Sequence, residues 1–398
     1  MRAFRFGETD TMPLLDALRS EARDAPVSGI VDVMNYGRTV EGTIPLWAGE
    51  GDEPTPGFIV EAATRALAAG ETFYTWQRGI PELRGALAQY HARLFGRDFD
   101  KERFFVTGSG MQAIQIAMTM TVGPGEECII PSPAWPNAAA AVGIRGGKPA
   151  FVPMQLGNQG FKLDLDRLFA ARNRRTRAIF LNSPANPTGW TASREELAAI
   201  LTFARRHRLW IIADEIYTRF VYEAERAPSF FDVMEEEDRI LFVNTMSKNW
   251  SMTGWRVGWI VANPSLGQTI ENMVQYSTSG VPAFLQRGAV AAIERGETYV
   301  QHLLMRARRG REIVCNALAS TGRVRFAAPA GAFYLFFAID GETDVRRLGL
   351  RLVDEARVGL APGTAFGPGG EGYMRLCYLR SAEQLEEAMR RMIGWLKP

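Results

Sequence analysis

The sequence is poor in the residues that staple or metallate a fold. Among 398 residues there are three cysteines, Cys128, Cys315 and Cys377, and three histidines, His91, His207 and His302. The cysteines are far apart, odd in number and set among apolar neighbours, so they form neither a disulfide framework nor a metal spacing. That usage predicts a reducing compartment and places the protein in the cytoplasm. The histidines are equally scattered, each in a helical or charged context that suits a surface or capping role, and nothing supports a zinc or iron centre. Net charge is also lacking: 46 basic residues against 44 acidic leave +2. So weak a balance demands neither nucleic acid nor an anionic membrane as partner. The basic clusters at 172–177 and 306–311 lie in or beside amphipathic stretches and read as solvated helix faces. No apolar run reaches bilayer length, and the opening MRAFRFGETDTMP meets charge and proline before a signal-peptide core could form.

What is present is an ordinary globular composition, 46% apolar, on a chain long enough for two domains and a large core. Residues 1–45 are polar, with one amphipathic stretch near 13–23, and read as an arm. IPLWAGEGDEPTP then turns sharply, its glycines Gly49 and Gly51 permitting close backbone approach. A helix is predicted over 56–69. FYTWQRGIPELRGALAQ follows, a loop that carries Tyr74, Trp76 and Arg78 ahead of a helix starting at Pro81 with Glu82 in its first turn. Three such side chains on one loop suggest a binding surface.

From Arg103 onward, short apolar runs alternate with helical segments, the pattern of a largely parallel sheet wrapped by helices. RFFVT leads into GSGMQAIQIAMTM, where the free backbone N–H groups at Ser109, Gly110 and Met111 form a ready phosphate cradle. ECIIPS ends shortly before Trp135, AIFLN before the loop holding Asn186, and LWIIADEIY delivers Asp214 and Tyr217. ILFVNTMSKNWSMTGWRVGWI then holds Lys248 and Arg256 between two strands. Strand after strand thus brings a polar or aromatic residue to its carboxyl end, the edge of an open α/β sheet where ligands bind. A lysine ending a buried strand is partly desolvated, which lowers its pKa and frees its amine to attack carbonyls. A lysine for an imine and an arginine for a phosphate are what pyridoxal phosphate requires. Arg375 lies in the apolar strand YMRLCYL, where a guanidinium needs an anion, and its planar fork suits a carboxylate.

GSGMQA also matches the dinucleotide fingerprint G-x-G-x-x-A, but the strand after it ends in Pro131, Ser132 and Pro133 rather than an acid for the ribose. Thr107 stands where a nucleophile elbow needs glycine, which disfavours a serine hydrolase.

YTWQRGIPELRGALA, ANPTG, ADEIY, SKNWSMTGWRVG, PAGAFY and PGTAFGPGGEGYMRL, in that order, resemble the class I/II aminotransferases, pyridoxal-phosphate enzymes of fold type I. The resemblance runs from about Ser28 to the C-terminus. It implies an α/β fold: a large domain with a mostly parallel sheet flanked by helices, plus a smaller α+β domain. We place the N-terminal arm and part of the small domain in 1–50, the cofactor-binding domain in 51–285 and the small domain in 286–398. By the same resemblance Lys248 forms the imine with the cofactor and later moves the substrate proton. Asp214 keeps the pyridine nitrogen protonated, Tyr217 and Asn186 bond the ring oxygen, and Trp135 stacks on the ring. Thr245, Ser247 and Arg256, with the backbone at Ser109 to Met111, form the phosphate cup. Arg375 clamps the substrate carboxylate beside Gly49, and Tyr74 reaches the phosphate of a neighbouring subunit, which implies a homodimer with shared sites. The substrates implied are an α-amino acid and a 2-oxo acid.

The chain departs from the family in two loops. Gly49-Glu50-Gly51-Asp52-Glu53 lacks the usual proline and aromatic, which predicts a more flexible and more acidic loop. Trp76 and Arg78 replace smaller residues, and we expect them to help select an acidic or aromatic substrate side chain. The same site could instead serve a C–S β-lyase or a decarboxylase, because substrate pose decides the fate of the carbanion. A non-catalytic regulator would need a DNA-binding domain, and the short arm leaves no room for one.

Overall fold

The computed structural model describes residues 13–397; residues 1–12 of the expected arm lie outside them. The principal sheet has seven strands: β1 (Phe104–Thr107), β2 (Glu127–Ser132), β3 (Lys148–Pro153), β4 (Thr176–Asn182), β5 (Trp210–Asp214), β6 (Ile240–Thr245) and β7 (Gly258–Val261). Their order is β1-β7-β6-β5-β4-β2-β3. Only β7 runs against its neighbours, pairing antiparallel with β6 and β1, as a mostly parallel sheet allows. Side chains alternate across the strands, so each strand feeds two cores. Phe104, Val106, Ile129 and Ile211 face helices Pro81–Phe95 and Arg194–His207. Phe105, Ile130 and Ile212 face helices Gly110–Thr121 and Pro136–Gly143. The expected proline start at Pro81 is present, and the helix stops at Gly96 in the left-handed conformation.

The second unit is a four-stranded antiparallel sheet of β8 (Val324–Arg325), β9 (Tyr334–Ile339), β10 (Ala361–Pro362) and β11 (Tyr373–Cys377), in the order β8-β9-β11-β10. Helices Glu297–Ala319 and Ala382–Leu396 cover it. The N-terminal segment joins this unit: Ile44–Pro45 pairs in parallel with Val358–Gly359. No helix among the described residues is long and apolar enough to cross a membrane.

Three expectations differ from the structure. The boundary at 285/286 falls inside helix Ala283–Arg295, which packs on Gly57–Ala68 and Pro81–Phe95; the chain leaves for the second unit only at Gly296. The arm contains a helix, Gly29–Gly37, beyond the amphipathic stretch at 13–23. His91 is neither a surface nor a capping residue. It is 2% exposed among the rings of Phe95, Phe99, Phe104 and Phe231, and Trp259 Nε1 donates to its Nε2 at 3.3 Å. Burial drives its pKa down to about 3, because a charged imidazole has no partner there.

Candidate active site

A cavity of about 490 Å³ lies at the carboxyl edge of the principal sheet, closed on its far side by the second unit and by helix Gly29–Gly37. Sheet register creates it. Asn182 at the end of β4 pairs with Asp214 at the end of β5, and Thr245 ends β6 beside Gly258 of β7. The last polar residue of each strand therefore emerges at one level, and Lys248 follows Thr245 by a single short turn.

Lys248 Nζ donates to the Gly49 carbonyl at 2.7 Å and stands 5.8 Å from the Tyr217 ring centre. Its amine faces the cavity and so keeps some accessible surface. The surrounding protein nevertheless lowers its pKa from 10.5 to about 8, desolvation outweighing the pull of Cys377, Glu50 and Asp214. Asp214 shifts the opposite way. Burial raises its carboxyl to about 7 against the help of the Ile216 N–H and Lys248. A carboxylate held here with so little support is matched to a cation brought in by a ligand.

The opposite wall is a chain of hydrogen bonds. The Tyr217 and Tyr334 hydroxyls are 2.7 Å apart. Arg375, only 2% exposed, lies 4.7 Å from the Tyr334 ring centre and 5.0 Å from that of Phe366. It donates from Nη1 to Asn186 Oδ1 at 3.1 Å and from Nη2 to the Trp47 carbonyl. Its Nε is buried without a partner. No carboxylate pairs with it among the described residues, so the buried structural ion pair that could have explained an arginine in this strand is absent.

At the remaining end, Gly110 and Met111 open helix Gly110–Thr121, whose first N–H groups point outward, as every helix start requires. Ser247 N–H donates to Thr245 Oγ1 at 3.2 Å, and the two hydroxyl oxygens lie 2.9 Å apart. Arg256 projects at the rim, where its Nη1 donates to the Thr253 carbonyl. Two hydroxyls, a guanidinium and a helix N-terminus form an anion seat suited to a phosphate. Gly258 allows it: a Cβ there would lie 2.5 Å from Gly110 N and Ser109 C.

Most of the expected residues meet on this wall, including Gly49, Trp135, Asn186 and Tyr217. Two do not, Trp76 and Arg78; Ser109 is expected only through its backbone and Tyr74 only at a neighbouring subunit. The Ser109 hydroxyl accepts from the Gln112 N–H at 3.0 Å. Tyr74 and Trp76 are 93% and 66% exposed and stand off the cavity of their own chain. Arg78 is occupied elsewhere, paired with Glu271 at 2.7 Å and Glu102 at 3.4 Å; within this chain it does not reach the substrate space. The Gly49–Glu53 loop is acidic as expected but tied down. Asp52 pairs with Arg306 at 2.7 Å and Glu53 with His302 at 2.9 Å, both on helix Glu297–Ala319.

Residues not foreseen are Tyr334, Trp47 and the pair Ile30 and Val31. The helix that carries the last two was legible: Ile30, Val33, Met34 and Gly37 follow helical spacing.

Comparison with known proteins agrees with this geometry. The sequence profile described as aminotransferase class I and II matches residues 42–392. An aspartate aminotransferase of Thermotoga maritima is 35% identical over 89% of this chain and 92% of its own length. Aromatic-amino-acid aminotransferase 2 of Thermococcus litoralis is 35% identical over 93% of this chain and 96% of its own. The crystal structure of the Thermotoga maritima aspartate aminotransferase superposes with a TM-score of 0.88 at 33% identity, covering 95% of this chain and all of that one. N-succinyldiaminopimelate aminotransferase from Mycobacterium tuberculosis gives 0.90 at 28% identity over 96% of this chain. The chain belongs to the class I and II aminotransferases and is a pyridoxal-phosphate-dependent transaminase.

Proposed function

We propose that this enzyme works as a cytoplasmic homodimer, using Lys248 as its nucleophile and base and Arg375 as its substrate clamp. The observation that carries the reading is the opposed pair in one cavity: an amine lowered to about 8 and a carboxyl raised to about 7. The residues present fit the cofactor: Asp214 forms no ion pair among the described residues, and Gly110, Thr245 and Arg256 bring an N–H, a hydroxyl and a guanidinium to one seat. Bound there, pyridoxal phosphate supplies an aldehyde for imine formation and a ring that accepts electrons.

The chain's own groups do the rest. Arg256, the hydroxyls of Thr245 and Ser247 and the N–H groups at Gly110 and Met111 hold the phosphate. Asp214 keeps a proton on the ring nitrogen, Tyr217 and Asn186 bond the ring oxygen, and Trp135 covers one ring face. Arg375 orients the substrate by its α-carboxylate, and Asn186 Oδ1 shares that guanidinium. Lys248, its amine lowered to about 8, would take the proton from the substrate Cα and pass it to the aldehyde-derived carbon of the bound cofactor, and would run that transfer in reverse in the second half-reaction. Gly49 leaves room beside it, because a Cβ there would collide with the Tyr334 hydroxyl.

The dimer is supported by the exposure of Phe73, Tyr74, Trp76 and Tyr276 on one chain, aromatic side chains of the kind enriched where protein surfaces meet. Tyr74 would then reach the partner's phosphate seat. The compartment is supported by free thiols at Cys128, Cys315 and Cys377. The test is direct. Purified enzyme should be yellow and convert amino donors to 2-oxo acids, and Lys248→Ala should lose both the imine absorbance and turnover. Turnover retained in Lys248→Ala would remove the lysine from its role, and a monomer by sedimentation would remove the shared site.

A further inference from the structure

The cavity that holds the reacting groups has more wall than those groups occupy, and this chain supplies no further cation to it. Three cations line the cavity, Lys248, Arg256 and Arg375. If the enzyme is the transaminase proposed above, on which this inference rests, all three are committed, to the imine, the phosphate and the α-carboxylate in turn. Among the described residues no fourth cation lines it. The uncommitted wall mixes apolar Ile30, Val31, Trp47 and Met111 with the neutral polar Ser28, Asn137 and Thr253, and Glu50 lies at the rim, where its carboxylate accepts from Thr253 Oγ1 at 2.9 Å.

This wall is built rather than incidental. The Trp47 indole is wedged where a Cβ at either Gly37 or Gly359 would overlap it, and only 4% of the residue is exposed. Helix Gly29–Gly37, which presents Ile30 and Val31, is pinned from outside. Asp32 binds Arg346 at 2.6 Å and Tyr36 donates to Asp354. Val33 is fully buried, and a Cβ at Gly29 would already sit 3.2 Å from Ala365. The apolar surface therefore stays in place when a ligand enters.

We propose that the enzyme takes neutral amino acids with bulky apolar or aromatic side chains, and that dicarboxylic donors are poor substrates. An apolar side chain gains by leaving water against Ile30, Val31 and Met111, the apolar lining residues that keep exposed surface. The second carboxylate of aspartate or glutamate would be desolvated on the same wall with no cation of this chain to meet it, near the like charge of Glu50.

The test uses the holoenzyme and single-turnover loss of imine absorbance with phenylalanine, leucine, aspartate and glutamate. Phenylalanine or leucine should exceed both acidic donors at least tenfold in kcat/KM. Equal or better rates with aspartate or glutamate would overturn the proposal while leaving the transaminase reading intact; absorbance unchanged by every donor would overturn both. Calorimetry gives a readout free of turnover: 3-phenylpropionate should bind at least tenfold tighter than succinate, and the reverse order sinks the idea. Ile30→Arg should raise aspartate relative to phenylalanine at least tenfold, and an unchanged ratio would remove Ile30 from the side-chain wall.

Discussion

The hydroxyls of Tyr217 and Tyr334 share a hydrogen bond of 2.7 Å, and the Tyr334 ring carries the Arg375 guanidinium on its face, 4.7 Å from its centre. One residue of the second unit thus positions both the phenol proposed to bond the cofactor ring and the arginine proposed to meet the substrate. Tyr334→Phe removes the bond and leaves the Tyr217 oxygen short of a partner, at a cost of about 1–3 kcal/mol. We expect turnover to fall roughly tenfold per 1.4 kcal/mol lost from the transition state. The imine absorbance should titrate at a displaced pH. An unchanged titration with unchanged turnover would make Tyr334 a packing residue only.

The lysine has a pH signature of its own. Its pKa is about 8 when folded against an ordinary value of 10.5 when unfolded. The unfolded chain therefore binds more protons between these values, so the apoprotein gains stability as pH rises from 8 to 10.5 and carries the penalty below 8. Capture of added pyridoxal phosphate should accelerate with pH and level off above about 8. A rate still climbing roughly tenfold per pH unit at about pH 10 would contradict the shift.

Asp214 titrates with the other sign. Its folded pKa of about 7 lies above the ordinary value of 3.8, so the folded apoprotein binds the extra proton and loses stability as pH rises from 3.8 to 7. Asp214→Asn apoprotein should therefore melt no lower than the parent at neutral pH. Its turnover with bound cofactor should fall at least 100-fold, about 2.7 kcal/mol. A lower melting temperature together with intact turnover would reassign the carboxylate to structure.

Gly258 guards the phosphate seat from behind. In Gly258→Ala the new methyl must displace the backbone at Ser109 and Gly110, which we expect to cost about 1–3 kcal/mol as overpacking does. Cofactor affinity should fall with stability. Calorimetric titration of the apoenzyme checks this, and parental affinity would show that the seat does not depend on that contact.

Arg78→Ala should leave the ratio of kcat/KM among acidic, aromatic and aliphatic donors unchanged, since its guanidinium is engaged by Glu271 and Glu102. Stability should fall by up to about 1 kcal/mol, as partly exposed ion pairs allow. A changed donor ratio would place Arg78 at a substrate after all, in a partner's cavity.

The sheet and its reactive edge are legible in the sequence because they rest on local rules. Apolar runs such as WIIAD end where β5 ends, and a polar residue after a buried strand can only emerge at the edge. Side-chain commitments are not local. Arg78 looks available because nothing in the loop FYTWQRG reveals Glu271, nearly two hundred residues away. His91 reads as a surface group because its helix, Pro81–Phe95, carries charge throughout. Only the packing of Phe99, Phe104 and Phe231 turns that position inward. The boundary near 286 misleads for a related reason: a helix is visible there, but not which unit it packs against. Helix Gly29–Gly37 has the spacing of an amphipathic helix, yet the polar residues around it disguise it as arm.

The acidic loop from Gly49 to Glu53 joins chemistry to architecture. At one end the Gly49 carbonyl accepts a hydrogen bond from the Lys248 amine; at the other, Asp52 and Glu53 grip Arg306 and His302 on the longest helix of the second unit. This short run of backbone is thus a tether of fixed length between the nucleophile and the body of the smaller unit. The oxygen that steadies the amine and the longest helix of the second unit are thus joined through five consecutive residues, so the seat of the lysine is built on the smaller unit as well as on the sheet.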